Sequence, residues 1–257
     1  MALSAVGWTA LTFYTLQIDI DLLLLGLSFL FTWGFYSIDR MRTSEADLIN
    51  NGERVKWYQN HFQFFRKLIF ISIAPIIFIL IARPVIIIPA IISSVPCIFY
   101  AQKIRFNEAH FSLKDLPGLK VALVALLWVI LTVIFPSINS FGYDITSIKI
   151  FYLSGTVGCF VMFQININDI RDIKGDTQEN TKSFAAMLGS KKSGGIGVLF
   201  LCLGYYFGTQ LYGYTALVAF VFFMLIIQLS YTRKQDFFWR MFIELQGLLA
   251  FVMLTFC

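Results

Sequence analysis

Long apolar segments recur along the whole chain, and they constrain its fold more than any other feature. Of its 257 residues, 58% are hydrophobic and 14% are charged, whereas soluble domains have about 25% charged residues. Because a helix rises about 1.5 Å per residue and the hydrocarbon core of a bilayer is about 30 Å thick, a span needs about 20 mainly apolar residues. The sequence therefore predicts an all-α polytopic membrane protein, with a single domain over residues 1–257.

The apolar segments predict nine transmembrane helices around a central cavity. The spans are predicted at residues 2–17, 20–38, 67–82, 84–101, 119–136, 148–167, 194–211, 213–231 and 237–256. The first of these is short and contains Thr9 and Thr12, whereas the fifth contains a long, uniformly apolar run that begins at Val121. The lipid bilayer is therefore the first predicted partner of the chain.

The basic residues predict how the chain is oriented in the membrane. Of the 20 Lys and Arg residues, all but Arg83 and Lys149 lie in four loops, at residues 40–67, 103–120, 171–192 and 233–240. The positive-inside rule places these loops in the cytoplasm. Because the charges are divided among short loops, the net charge of +5 does not indicate nucleic acid as a partner. The inward charge bias without a visible organelle-targeting segment favours a bacterial inner membrane.

The most informative polar stretch is NDIRDIKGD, at residues 168–176, which follows the sixth predicted span. Asp169, Asp172 and Asp176 are spaced so that a helix presents them on one face. Carboxylates this close repel one another unless a cation lies among them, and Mg²⁺ commonly binds through one or two carboxylates, waters and substrate phosphates. The stretch therefore predicts a Mg²⁺ and phosphate site at the cytoplasmic surface, which Asn168 is expected to help orient.

This stretch, together with NTKSFAAMLG at residues 180–189, resembles the second aspartate motif and the following loop of the UbiA superfamily of intramembrane prenyltransferases. A further segment, SLKDLPGLK at residues 112–120, is similar to the segment that precedes the fifth helix of that family. Nine spans with acidic motifs after the second and the sixth fit the same architecture along nearly the whole chain. The resemblance implies Mg²⁺-dependent transfer of a prenyl group from a prenyl diphosphate to an aromatic or other lipid-like acceptor.

The first aspartate motif departs from the family pattern. The corresponding stretch is FYSIDRMRT, at residues 35–43. There Asp39 keeps one acidic position, while Tyr36 and Thr43 stand where carboxylates are expected, and two more acidic residues follow within four positions of Thr43. The resemblance implies that Asp39 shares the metal and catalytic roles of the second motif.

Ionisation of an allylic diphosphate leaves a highly charged leaving group and a carbocation, so cations must stabilise the first and an apolar cavity must shield the second from water. The predicted metal ligands are Asp39, Asp169, Asp172 and Asp176, and the first three are also the predicted catalytic residues. The predicted donors to the diphosphate are Arg40, Lys103, Arg105, Lys114, Lys120 and Asn168. Glu244, within the last span, is expected to face a cavity or to bond another helix.

Other interpretations of the same residues stay open at this point. The acidic stretch is also consistent with a solvated helix end balanced by Arg171 and Lys174, and Asp39 with a local ion pair to Arg40. The loss of carboxylates in the first motif favours a non-catalytic isoprenoid-binding or partner protein on the same scaffold as the main alternative. A transporter is less favoured, because the polar residues cluster at one end of the spans and transporter sites usually lie near the bilayer midplane.

Overall fold

The computed structural model describes residues 1–41, 45–101, 104–106, 109–111, 118–178, 182–232 and 237–256. Within these ranges the regular structure is helical apart from one short antiparallel hairpin, β1 (Ile104–Phe106) and β2 (Ala109–Phe111). The α-helices are α1 (Ala2–Leu16), α2 (Leu22–Met41), α3 (Glu45–Asn60), α4 (Phe62–Ala82), α5 (Ile87–Ala101), α6 (Leu119–Val129), α7 (Phe135–Phe141), α8 (Ile148–Gln178), α9 (Phe184–Tyr212), α10 (Thr215–Thr232), α11 (Phe237–Glu244) and α12 (Gln246–Phe256).

Several of these helices have the length and composition of membrane spans, in agreement with the predicted all-α membrane fold. In the described part of the chain, five helical stretches are long and apolar enough to cross a membrane: Leu22–Met41, Phe62–Ala82, Leu119–Phe141, Ile148–Gln178 and Phe184–Tyr212. Shorter apolar helices lie at Ala2–Leu16, Pro84–Pro96, Thr215–Met224 and Gln246–Thr255. A helix of 15 residues such as α1 spans only about 22 Å, so these helices do not meet the length criterion by themselves.

The helical stretch from α6 to α7 is continuous because an unusual turn accommodates a proline. Residues Ile130–Ile134 form a π-helical turn directly before α7, which contains Pro136. Proline has no N–H and its ring crowds the carbonyl four residues earlier, which here is that of Thr132. Thr12 of α1 donates to this carbonyl at 2.8 Å instead. The polar Thr12 in the first apolar segment thus satisfies a backbone group that Pro136 leaves without its helical donor.

Helix α8 forms the centre of the bundle and extends well past the predicted span. It packs most extensively against α9 and also contacts α6, α3 and α1. The main core cluster draws its buried residues from α1, α6, α8, α9, α10 and α12, and a smaller cluster fills the space between α2, α4 and α7. Helix α9 begins after the N-cap Ser183 and is kinked at Gly189, whose φ of 81° lies in the left-handed region. The kink separates the short apolar segment at residues 184–188 from the longer part of the helix, which contains the stretch predicted as a span.

The crossing of α1 and α12 depends on two glycines. A Cβ at Gly7 would lie 2.3 Å from the backbone nitrogen of Leu248, and a Cβ at Gly247 would lie 2.1 Å from the carbonyl oxygen of Ser4. Real side chains do not tolerate such distances, so both positions require glycine. The close contact ties the first and last helices together, and the Ser4 hydroxyl accepts from the Gly247 N–H at 2.7 Å.

Candidate functional site

A buried ion pair forms the centre of the acidic end of α8. Lys120 lies in the first turn of α6, which begins after Gly118, and its Nζ contacts Oδ1 of Asp169 at 2.6 Å. The Asp169 side chain is only 5% exposed. Its other oxygen, Oδ2, is buried, and within the described residues it has no hydrogen-bond partner. A buried carboxylate that uses only one of its oxygens has unfilled bonding capacity for a ligand.

The other two carboxylates of the stretch lie on the same face of α8. Asp172 is partly buried and within electrostatic range of Asp169, Asp176 and Lys120. Asp176 accepts from the hydroxyl of Ser183 at 2.8 Å, and the same hydroxyl accepts from a backbone N–H to cap α9. Among the described residues, no three His, Cys, Asp or Glu side chains are grouped closely enough to hold a metal ion by themselves. The stretch therefore provides a row of carboxylates on one face of α8.

A polar side chain of α3 bonds the backbone of α8 beside these carboxylates. The side-chain amide of Asn50 donates to the carbonyl oxygen of Asp172 at 2.9 Å, and its oxygen accepts from the N–H of Gly175 at 3.0 Å. Sequence reasoning treated residues 40–67 as a loop and did not identify Asn50. Ser183 had a recognisable signal, because serine before an apolar helix is a common N-cap, but nothing in the sequence distinguishes Asn50 from its neighbours.

Residues 35–41 of the first motif lie at the end of α2, whereas Arg42 and Thr43 lie outside the described residues. Asp39 is exposed and Tyr36 is partly buried against the main core. Arg40 donates to the Tyr58 hydroxyl of α3 at 3.1 Å and lies 3.8 Å from the Glu244 carboxylate of α11. The predicted diphosphate donor Arg40 is therefore engaged in linking three helices, and Glu244 takes the interhelical role that was one of its two expected roles.

The other predicted donors are placed as follows. Lys103 and Lys114 lie outside the described residues, and Arg105 lies in β1 with its side chain also outside them. The Asn168 oxygen accepts from Arg171 at 3.1 Å. Lys120 is therefore the predicted donor that the structure brings directly to the carboxylates.

Polar residues that precede the acidic stretch bind neighbouring helices. Gln164 donates to the carbonyl oxygen of Ile243 at 2.6 Å. Asn166 and Ser193 exchange two hydrogen bonds, each 2.7 Å long, between α8 and α9. These buried amides bond backbone carbonyls and the Ser193 hydroxyl, so they position α8 within the bundle. The buried side-chain oxygen of α8 that has no partner among the described residues belongs to Asp169, further along the helix.

An apolar cavity follows α6 away from Lys120. A cavity of about 230 Å³ lies between α2, α4, α5 and α6, and a narrow extension of about 30 Å³ between α2 and α6 reaches Tyr36 and Trp128. Both are lined by Leu127 and Leu131. These residues follow Lys120 by 7 and 11 positions, which is the spacing of one helix face. The α6 residues that line both cavities therefore share the helix face of Lys120, although Lys120 and Asp169 are not among the described lining residues.

A larger and more open cavity, of about 1030 Å³, is formed at the other end of the bundle, and its lining includes Lys149 and Tyr212 but none of the predicted site residues. Lys149 lies 20 residues before Asp169 on α8, a distance of about 30 Å along a helix. This cavity therefore has no part in the chemistry at the acidic end.

Comparisons of the chain with protein-family models, with curated proteins and with solved structures found no significant match. Carboxylates that suit a hard cation and an ammonium group that suits an anion meet at the acidic end of α8, and an apolar cavity lies against α6, the helix that carries the ammonium group. An amphiphile with an anionic, metal-chelating head and an apolar tail is complementary to all three.

Proposed function

We propose that this chain is an integral membrane prenyltransferase of the UbiA type. It transfers a prenyl group from a prenyl diphosphate to an aromatic or other lipid-like acceptor, with Mg²⁺ as cofactor. In this proposal the chain has nine spans, and its acidic end lies at the cytoplasmic face of a bacterial inner membrane. The observation that carries the proposal is the buried Asp169, which has one oxygen on Lys120 and the other without a partner among the described residues.

The donor set fits Mg²⁺ only when the substrate completes it. Mg²⁺ usually binds one or two carboxylates and takes its remaining ligands from waters and phosphate oxygens. Asp169 and Asp172 supply such a pair, with Asp39 of α2 as a further proposed ligand. Asp176, which accepts from Ser183, adds negative charge to the same face. When bound, Mg²⁺ neutralises the charge that develops on the leaving diphosphate.

Lys120 has two roles in this proposal. Without substrate, its ammonium group neutralises the buried Asp169 across 2.6 Å. With Mg²⁺ held at the Asp169 carboxylate, the Lys120 ammonium group would donate to a diphosphate oxygen in a charge-assisted hydrogen bond. Arg40, Lys103, Arg105 and Lys114 stay proposed as further donors.

The apolar cavity between α2 and α6 holds the prenyl tail in this proposal. Its lining residues Phe31, Leu127 and Leu131 exclude water from a carbocation, which water otherwise captures. Trp128, which lines the narrow part nearer Lys120, presents an aromatic face of the kind that stabilises a cation.

The proposal is tested by the binding of geranylgeranyl diphosphate to the purified protein with and without Mg²⁺. Asp169→Asn is the test variant, and Asp21→Asn is its matched control, because Asp21 also has an ion pair of 2.6 Å, to Arg83. We expect Asp169→Asn to lose on the order of 100-fold in affinity, since a hydrogen bond to a charged group contributes about 2–3 kcal/mol. Asp21→Asn is expected to bind like the unchanged protein. Equal binding by both variants, or no Mg²⁺ dependence in the unchanged protein, contradicts the proposal.

A second function is supported by one specific observation. Lys120 already neutralises Asp169, an arrangement that also suits a protein that binds prenyl diphosphates without reacting them. This alternative predicts binding without product. Mass analysis of lipids after incubation with Mg²⁺ and candidate acceptors distinguishes the two, since only the enzyme forms a prenylated acceptor.

A further inference from the structure

Helix α3 packs against α8, and the side chain of Asn50 bonds the two helices at the acidic end of α8. The carboxamide of Asn50 bonds the backbone of α8 at two points, the carbonyl oxygen of Asp172 and the N–H of Gly175. Gly175 is buried and has no side chain, so its backbone is accessible to a neighbouring helix. Both bonded groups belong to the single helical turn that carries Asp172 and Asp176.

A second contact fixes the other end of α3. Tyr58 accepts from Arg40 at 3.1 Å, and Arg40 also pairs with Glu244. Asn50 and Tyr58 are eight residues apart, or about 12 Å along the helix. Helix α3 therefore connects the end of α2, which carries the first motif, with the turn of α8 that carries the second.

We propose that Asn50 is a positioning residue that holds the Asp172–Asp176 turn so that its carboxylates face the Lys120–Asp169 pair. The importance of this turn for cation binding rests on the proposed function above. The hydrogen bonds themselves do not depend on that function. Asn50 acts through the backbone of α8, and it requires both its donor and its acceptor, which is why an apolar side chain of similar size is not equivalent.

The alternative is that Asn50 contributes only to general stability. Two side-chain hydrogen bonds to the backbone are lost in Asn50→Leu, and a net contribution of about 1 kcal/mol each corresponds to roughly a tenfold or larger change in local opening. A purely structural role spreads this effect over the protein. A positioning role confines it to the end of α8 and changes the Mg²⁺ requirement.

The experiment uses the full chain with Asn50→Leu and, as matched control, Asn60→Leu, since Asn60 is exposed at the end of the same helix. Amide hydrogen exchange is measured over residues 172–178 without ligand. Mg²⁺ is then titrated against the binding of geranylgeranyl diphosphate. We expect about tenfold faster exchange in this segment, and about a tenfold higher Mg²⁺ concentration for half-maximal binding, for Asn50→Leu alone.

The outcomes separate the two proposals. Unchanged exchange in Asn50→Leu, or faster exchange with an unchanged Mg²⁺ requirement, overturns the positioning role and leaves the proposed function standing. Binding that needs no Mg²⁺ in the unchanged protein overturns the proposed function, and exchange then decides whether Asn50 holds the turn. Asn50→Ala removes the same hydrogen bonds without adding apolar bulk, so it replaces Asn50→Leu if that variant does not fold.

Discussion

Two ion pairs, each between a carboxylate and a basic side chain, lie at opposite ends of the bundle. They have the same N–O distance but differ in how many of the carboxylate oxygens are bonded. Lys120 contacts Asp169 at 2.6 Å, and Arg83 contacts Asp21 at 2.6 Å. Asp21 uses both oxygens: Oδ1 accepts from the Leu23 N–H at the start of α2, and Oδ2 accepts from Arg83 and, at 3.3 Å, from Asn139. Asp169 uses only Oδ1, because its Oδ2 is buried without a partner among the described residues.

The two ends are separated by the full length of the bundle. Lys120 lies in the first turn of α6 and Asn139 near the end of α7, 19 residues later in one continuous helical stretch, or about 28 Å. A fully bonded carboxylate between loops holds the loops together and needs nothing else. A buried carboxylate with an unused oxygen reduces stability unless something binds it. The difference supports Asp169 as the proposed binding position and favours a structural role for Asp21.

The largest effect is expected for Lys120→Met. This variant leaves the buried Asp169 charge without its cation, and loss of one partner of a buried pair costs about 3 kcal/mol in the free energy of unfolding. Because Mg²⁺ can then neutralise Asp169, millimolar Mg²⁺ should restore part of that loss. Thermal unfolding in detergent with and without Mg²⁺ measures both effects. If Lys120→Met has the same thermal stability with and without Mg²⁺, Asp169 does not bind the cation.

A smaller effect is expected for Arg83→Met at the other end. Asp21 keeps its bonds to the Leu23 N–H and to Asn139, and the Arg83 side chain is 34% exposed, so we expect a loss of about 1–2 kcal/mol in the free energy of unfolding. Mg²⁺ should not restore it, and binding of geranylgeranyl diphosphate should be unchanged. The same thermal scans serve as the measurement, and rescue by Mg²⁺ here would remove the distinction between the two ends.

The acidic face of α8 was predictable because it depends on local spacing alone. The offsets between Asp169, Asp172 and Asp176 place them on one side of any helix. The pairing of Asp169 with Lys120 joins residues 49 positions apart and depends on how α6 packs against α8. Sequence analysis identified Lys120 only as one of four equivalent basic residues in its loop, since charge alone does not show which of them reaches the carboxylates.

The helices were predicted where they are apolar and missed where they are polar. Apolar helices lie in order along the predicted spans, but the stretch predicted as one span at residues 237–256 is divided between α11 and α12. Helix α3 has no long apolar run and was assigned to a loop together with Asn50. Pro136 is a local cause of the irregular turn at Ile130–Ile134. The hydrogen bond to the carbonyl oxygen of Thr132, however, comes from Thr12 in a different helix. Contacts between helices, and not propensities within them, account for what the sequence left undetermined.

The smallest effect is expected for Asn139→Ala, and it tests whether the Asp21 pair is a network or a simple ion pair. The Asn139 amide lies 3.3 Å from Asp21 Oδ2, a long hydrogen bond, and Arg83 already occupies the same oxygen at 2.6 Å. Removal of Asn139 leaves no oxygen of Asp21 without a donor, so the free energy of unfolding should fall by less than about 1 kcal/mol.

The measurement is thermal unfolding of Asn139→Ala, of Arg83→Met and of the double variant. Additive losses identify a simple pair with a secondary contact, whereas a loss for Asn139→Ala as large as that for Arg83→Met shows that Asp21 depends on every one of its donors. In that case the Oδ2 of Asp169, which has no partner among the described residues, destabilises the fold more by comparison. The need for a ligand at that end of the bundle then becomes stronger.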